Sequence, residues 1–161
     1  MPNPNVDFTT GQTLLASQQN RFPRGLMAQA QSTVNYTLTA ANAIATGMTV
    51  SFNGVAGRVY KFTYYEPAVE TSTIAAGSAT TLNIRQNNAA GVQATSGVIL
   101  SQVAGQKDIN ALTLVVILPI VTTAAYTFVG CAFVNSVTGA PVLARNANAP
   151  ALLLVEDIGL V

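Results

Sequence analysis

The chain has 161 residues, about the length of one domain, and it is apolar and nearly uncharged. Hydrophobic residues make up 50% and charged residues 8%, whereas a typical soluble domain has about 25% charged residues; the mean hydropathy is +0.40. This high apolar content excludes a disordered chain, and the net charge of +1 excludes electrostatic binding of nucleic acid. The sequence has no histidine, which excludes Ser-His-Asp and Cys-His catalytic arrangements.

The first 32 residues predict an extended N-terminal arm rather than a domain. They contain three of the seven prolines, and residues 11–20 predict a short helix that Pro23 and Gly25 end. Their apolar side chains are too few to form a core. We therefore expect these side chains and two arginines to bind a partner, the contact residues being Phe8, Leu14, Leu15, Arg21, Phe22, Arg24 and Leu26.

From residue 33 onward the pattern changes to short β-strands separated by clusters of Gly, Asn and Pro. No long amphipathic helix competes with them. The sequence therefore predicts an all-β fold over residues 33–161, an antiparallel β-sandwich of jelly-roll type that follows the arm. The predicted strands cover residues 33–39, 48–52, 58–65, 80–86, 98–103, 112–120, 124–134 and 151–158, with a shorter strand at 141–144.

Residues 112–134 are uncharged and are long enough to cross a bilayer as a helix. Pro119 lies inside this stretch, and Thr122 and Thr123 follow it as turn residues. Each half has the length of a strand, and no basic cluster flanks the stretch. We therefore expect two buried strands and no membrane insertion.

These two strands are apolar on both faces, although a strand of a two-layer sandwich needs only one apolar face. The second apolar face is provided by Val115 and Ile117 on one strand and by Val129 and Phe133 on the other. Either the arm or another subunit must cover it. We expect a homo-oligomer with these four residues at its interface.

The ionisable residues predict no catalytic, cofactor or metal site. Glu66 and Glu70 flank Pro67, which predicts a solvated loop, and Glu156 and Asp157 point to opposite faces of a strand. A glycosidase would need two carboxylates in one cleft. The sequence has no glycine-rich phosphate loop and no calcium motif. The single cysteine, Cys131, is expected to be a small buried hydrophobe.

One aromatic cluster has two interpretations. Tyr60, Phe62 and Tyr64 alternate along a predicted strand, and Tyr65 follows them. Such a cluster could stack against a carbohydrate, or it could form the core face of a half-buried strand. The regular alternation favours the core face.

Two segments resemble structural proteins of tailed bacteriophages. Residues 8–20, FTTGQTLLASQQN, with PRG at residues 23–25, are similar to the opening of many of these proteins. Residues 152–159, LLLVEDIG, are similar to endings of minor tail proteins and of head-fibre or decoration proteins with jelly-roll domains. The chain has no collagen-like repeat and no long shaft, which favours a compact decoration module over a fibre.

The resemblance implies a non-enzymatic virion protein, with a trimer as the favoured oligomer. The arm would bind the major capsid protein or tail proteins, and the β-domain would face outward. The expected location is the capsid surface rather than the tail, after synthesis in the host cytoplasm. The alternative is a minor tail or tail-tip protein that binds a receptor or glycan.

Overall fold

The structure is a computed structural model that describes residues 22–39, 44–70, 79–87, 102–104, 110–134 and 141–160. These residues contain strands and turns and no helix. The strands are β1 (Gly25–Ser32), β2 (Tyr36–Thr37), β3 (Ile44–Gly54), β4 (Arg58–Glu70), β5 (Ala79–Gln86), β6 (Gln102–Ala104), β7 (Asn110–Pro119), β8 (Ala124–Val134), β9 (Val142–Leu143) and β10 (Ala151–Leu160).

The strands form two antiparallel sheets. In the first sheet the long strands lie in the order β1-β10-β4-β7; the short strand β9 pairs with the end of β4, and β2 pairs with β9. The second sheet has the order β3-β8-β5-β6. The predicted all-β antiparallel sandwich is therefore confirmed.

Alternating side chains of the two sheets form the core between them. Along β4, Tyr60, Phe62 and Tyr64 are fully buried, while the residues between them are half-buried. The ring of Phe62 meets that of Phe128 on β8, with the centroids 4.7 Å apart. Burying one such ring contributes about 1.5–3 kcal/mol. The core interpretation of the aromatic cluster is confirmed.

The apolar stretch at residues 112–134 forms two strands in different sheets. β7 lies in the first sheet beside β4, and β8 lies in the second sheet between β3 and β5. In the described part of the chain, no helix is long and apolar enough to cross a membrane. Because the two strands belong to opposite layers, their outward faces lie on opposite sides of the sandwich.

The first β-strand begins at Gly25, earlier than the predicted start of the β-domain at residue 33. Gly25–Ser32, assigned to the extended arm, forms β1 and pairs with β10 along its length, so Leu26 lies in a strand of the first sheet. This strand was not predicted because it has no β-branched residue, the residue type that is typical of strands. Its small residues Ala28 and Ala30 pack against the core. Residues 1–21, with the predicted helix, lie outside the described residues.

Two further strands differ from prediction. The strand expected at residues 33–39 is limited to Tyr36–Thr37, because these residues pair with the equally short β9. β4 does not end at Tyr65 but continues through Pro67 to Glu70. Its pairing with β7 is irregular between Glu66 and Val69, and such an interruption accommodates a proline that cannot donate a backbone hydrogen bond.

Candidate functional site

The candidate site is the solvent-facing side of the first sheet, which we call the outer face. It consists of the outward positions of β1, β10, β4 and β7. The strand register aligns these positions in cross-strand rows. One row contains Leu26, Glu156, Lys61 and Ile117, and the next contains Gln29, Leu154, Thr63 and Val115.

Large apolar side chains are exposed at both borders of the outer face. Leu26 on β1 is 55% exposed, and Val115 and Ile117 on β7 are 54% and 58% exposed. On β10, Ile158 lies beyond Glu156 and is also exposed. Single exposed apolar residues are common, but apolar side chains exposed on both borders of one sheet face provide apolar surface that a partner protein would bury.

One ion pair lies in the middle of the outer face. Lys61 Nζ is 2.5 Å from Glu156 Oε2, and the two side chains are 37% and 35% exposed. These residues oppose each other on the central strands β4 and β10. Their charges cancel, so the central part of the outer face is electrically neutral.

A buried ion pair lies beneath one end of this face. Arg58 donates from Nε to Asp157 Oδ2 at 2.5 Å and from Nη2 to Asp157 Oδ1 at 2.7 Å, and both side chains are buried. The same Nη2 donates to the Phe22 carbonyl at 2.6 Å. The backbone N–H of Gly159 donates to Asp157 Oδ1 at 3.0 Å. This pair therefore binds the start of the described chain to the first sheet.

A second buried ion pair joins the two sheets. Arg145 donates from Nη2 to Glu66 Oε1 at 2.6 Å and from Nε to Glu66 Oε2 at 2.9 Å. Its Nη1 donates to the Thr46 carbonyl on β3 at 3.0 Å. The Tyr64 hydroxyl donates to Glu66 Oε1 at 2.5 Å. The Thr46 hydroxyl lies 2.6 Å from the Tyr64 hydroxyl and 2.9 Å from the Gly130 carbonyl on β8.

The protonation of this network follows from its burial and charge. Burial, together with the negative charge of Glu66, raises the pKa of Tyr64 well above its ordinary value, so its hydroxyl remains a hydrogen-bond donor. Burial lowers the pKa of Arg145, but the hydrogen bonds and charge of Glu66 outweigh this effect and raise it overall. The network is thus a neutral tyrosine and an ion pair within the core.

The buried carboxylates correct one prediction. Glu66 was expected on a solvated loop because it precedes Pro67; instead it is fully buried in β4. The prediction that Glu156 and Asp157 point to opposite faces is confirmed, because Glu156 pairs with Lys61 on the outer face and Asp157 is buried. A local signal for burial was absent from the sequence, because both buried pairs join residues distant in the chain.

Cys131 is buried, as expected, on the strand β8. Its burial raises the pKa of the thiol to about 11. In the described residues, no group of three or more His, Cys, Asp or Glu side chains could hold a metal ion. The absence of a catalytic or cofactor role remains a prediction.

The structure separates the four residues predicted at the oligomer interface. Val115 and Ile117 are exposed on the outer face. Val129 and Phe133 lie on β8 in the other sheet, where Val129 is buried and Phe133 is half-buried. The four residues therefore do not form one continuous surface.

Three of the predicted arm contacts lie in the described chain. Phe22 and Leu26 are exposed, and Arg24 lies between them, just before β1. The other predicted contacts lie outside the described residues, namely Phe8, Leu14, Leu15 and Arg21. Leu26 thus moves from the predicted arm to the outer face of the sheet.

Comparisons with known proteins found no matching family model and no matching curated protein. Among solved structures, the chain is similar to the infectious bursal disease virus VP2 subviral particle, with 14% identity and a TM-score of 0.39 over 86% of this chain and 38% of that chain. This chain therefore spans less than half of the VP2 chain.

Two further solved structures are also similar to this chain. One is described as "CBM4 structure and function", with 15% identity and a TM-score of 0.30 over 85% of this chain and 94% of the other. The other is the arabinose-bound α-L-arabinofuranosidase MgGH51, with 13% identity and a TM-score of 0.31 over 87% of this chain and 26% of the other. None of these similarities assigns a function to this chain.

Proposed function

We propose that the protein is a non-enzymatic structural component of a tailed-bacteriophage virion, a decoration protein that binds the exterior of the capsid. The observation that carries this proposal is the outer face, where exposed Leu26, Val115 and Ile117 flank a neutral centre. A sheet face with exposed apolar borders and no net charge at its centre is suited to contacts with other proteins.

The strand order supports a jelly-roll sandwich. Apart from the short strands β2 and β9, successive strands alternate between the sheet β1-β10-β4-β7 and the sheet β3-β8-β5-β6, with one step, β5 to β6, inside a sheet. Jelly rolls form viral capsid domains and also lectin domains. Since a fold alone does not assign a function, the virion proposal also depends on the phage-like segments at residues 8–25 and 152–159.

The phage-like ending has a definite role in the structure. Residues 152–159 lie in β10, which is central in the first sheet. Leu153 and Val155 point into the core, Asp157 binds Arg58, and Leu154 and Glu156 lie on the outer face. The segment that carries the resemblance therefore helps to build the proposed binding surface.

The positions of the carboxylates support a non-enzymatic role. Glu66 and Asp157 are held in buried pairs with arginines, and Glu156 is paired with Lys61. A catalytic carboxylate must reach a substrate, and the two buried ones are shielded from solvent. Their contacts contribute to the fold rather than to a cleft.

We place the particle anchor in residues 1–21. Arg58 holds the Phe22 carbonyl against the first sheet, so the described chain that follows these residues is bound to the sandwich from Phe22 onward. The proposed partner of the arm is the major capsid protein.

The proposal is tested by locating the protein on purified particles. Immunogold labelling with an antibody to the chain should mark the capsid surface. Labelling at the tail tip would favour the receptor-binding alternative. If the protein is absent from purified particles, the virion role is refuted. A chain lacking residues 2–21 keeps Phe22 and β1 and should fold, but should occupy particles at least about tenfold less. Val121→Ser, a change in an exposed connection, is the control and should bind normally.

A further inference from the structure

We propose that the outer face binds a second copy of this chain, forming a face-to-face pair about a two-fold axis that runs parallel to the strands, between β10 and β4. The pairing goes beyond the proposed function, because it assigns a partner to the outer face whether or not the protein is bound to a particle. It also gives the exposed apolar residues of β1 and β7 a specific contact.

The positions of these residues favour a partner that lies along the whole width of the sheet. Leu26 and Ile117 occupy the same cross-strand row, on strands separated by β10 and β4. At about 4.8 Å between strands, they are about 14 Å apart. A partner that touched only one edge would leave the other border in water, whereas a second sheet would cover both.

The outer face is complementary to itself under this rotation. The axis places β1 opposite β7 of the partner subunit and β10 opposite β4 of the partner subunit. Leu26 then faces the partner's Ile117, and Lys61 faces the partner's Glu156. Each apolar border meets an apolar border, and each central charge meets its opposite, so no like charges oppose each other across this row.

The size of the face fits a reversible dimer. Four strands about 4.8 Å apart, with four outward positions about 6.8 Å apart on each, cover about 19 by 27 Å. This corresponds to about 500 Å² on each copy and about 1,000 Å² in total, the lower limit for a specific interface. The parallel axis also keeps the strands of the two faces nearly aligned, as in sandwiches of two sheets.

A two-fold pair differs from the trimer that the phage resemblance implies. Three flat faces around a three-fold axis meet at an angle and do not lie flat on each other. Either Leu26 or Ile117 would then remain uncovered in each copy. Covering both borders favours the two-fold arrangement.

Charge reversal on the full-length chain tests the pairing. Lys61→Glu places two acidic residues opposite each other at both symmetric contacts, and Glu156→Lys places two basic residues there. We expect each variant alone to dimerise on the order of 100-fold more weakly than the wild type. An equimolar mixture of the two should form a heterodimer with twice the mass of 16.7 kDa, because every contact then joins opposite charges.

Sedimentation velocity at micromolar concentrations measures both effects, and urea unfolding confirms that each variant is folded. A folded pair of variants that remains monomeric on mixing would overturn the proposal. So would a wild-type chain that is monomeric or trimeric over this range. A loss of stability alone would not produce association on mixing, so the mixture separates an interface role from a structural one.

Cross-linking tests the predicted neighbours directly. In the double variant Leu26→Cys/Ile117→Cys, the two thiols of one chain are about 14 Å apart, too far for a disulfide within the chain. We expect oxidation to yield a covalent dimer that does not grow further, whereas Leu26→Cys/Val121→Cys should remain mostly uncross-linked. A trimer band, or equal cross-linking in the control, would contradict the two-fold contact.

These results are independent of the particle experiment. Failure of the dimer with normal capsid labelling would reject the pairing and leave the virion role intact. A confirmed dimer that is absent from particles would reject the virion role and leave the pairing intact.

Discussion

Replacing Arg145 with Met should lower the free energy of unfolding by about 3–5 kcal/mol, because it removes one partner of a buried ion pair. Arg145 donates to both carboxylate oxygens of Glu66, at 2.6 and 2.9 Å, and to the Thr46 carbonyl at 3.0 Å. Without it, the Tyr64 hydroxyl is the remaining hydrogen-bond donor to the buried Glu66 carboxyl group in the described structure. Since domains are stable by about 5–15 kcal/mol, this is a large fraction of the total.

Urea unfolding at pH 7, followed by circular dichroism, measures this loss. Lys61→Met is the matched control, because it removes a cation from an ion pair that is more than one-third exposed. It should cost about 0–1 kcal/mol. Both variants are compared at a protein concentration low enough to exclude the contribution of self-association.

The double variant Glu66→Leu/Arg145→Met distinguishes loss of the pair from loss of packing. It removes both charges, so it should be more stable than Arg145→Met alone. Equal losses in Arg145→Met and Lys61→Met would refute the reasoning, because burial would then have no effect on the cost of breaking a pair.

Two further predictions concern neighbouring residues of the strand β8. The folded pKa of Cys131, about 11, lies above its ordinary value of 9.0, so the thiol contributes stability that is complete below about pH 9 and is lost as the pH rises towards 11. Urea titrations over this range should show a smaller alkaline decline in Cys131→Ala than in the wild type, and equal declines would contradict this. Gly130→Ala should lower the free energy of unfolding by about 1–3 kcal/mol, because a Cβ atom there would lie 3.0 Å from Tyr64 Cζ and 3.1 Å from Met48 Cβ. An unchanged melting temperature would contradict this prediction, because it would show that the core has room for a methyl group.

Local alternation was sufficient to predict most long strands. The pattern of Tyr60, Phe62 and Tyr64 correctly assigns the core face of β4, and the break at Pro119 correctly divides residues 112–134 into β7 and β8. These features depend on neighbours in sequence, because side chains of a strand alternate between its two faces. The same local rule failed for β1, whose strand state depends on pairing with β10.

Burial of charge was not predictable from local patterns. Glu66 precedes a proline and carries a charge, two features of a solvated loop, yet Arg145 neutralises it from 79 positions further along the chain. The partners Arg58 and Asp157 are separated by 99 positions. A buried ion pair depends on where the fold brings two segments together, and alternation contains no such information.

The sequence by itself determined the strand-rich composition, the inward and outward sides of most strands and the lack of histidine chemistry. Only the tertiary structure decided which outward residues become neighbours. A shift of β10 against β4 by two residues would keep every inward and outward assignment, yet it would separate Lys61 from Glu156 and break the row between Leu26 and Ile117. Register is set by contacts between distant segments, so the outer face exists as a surface only in the folded chain.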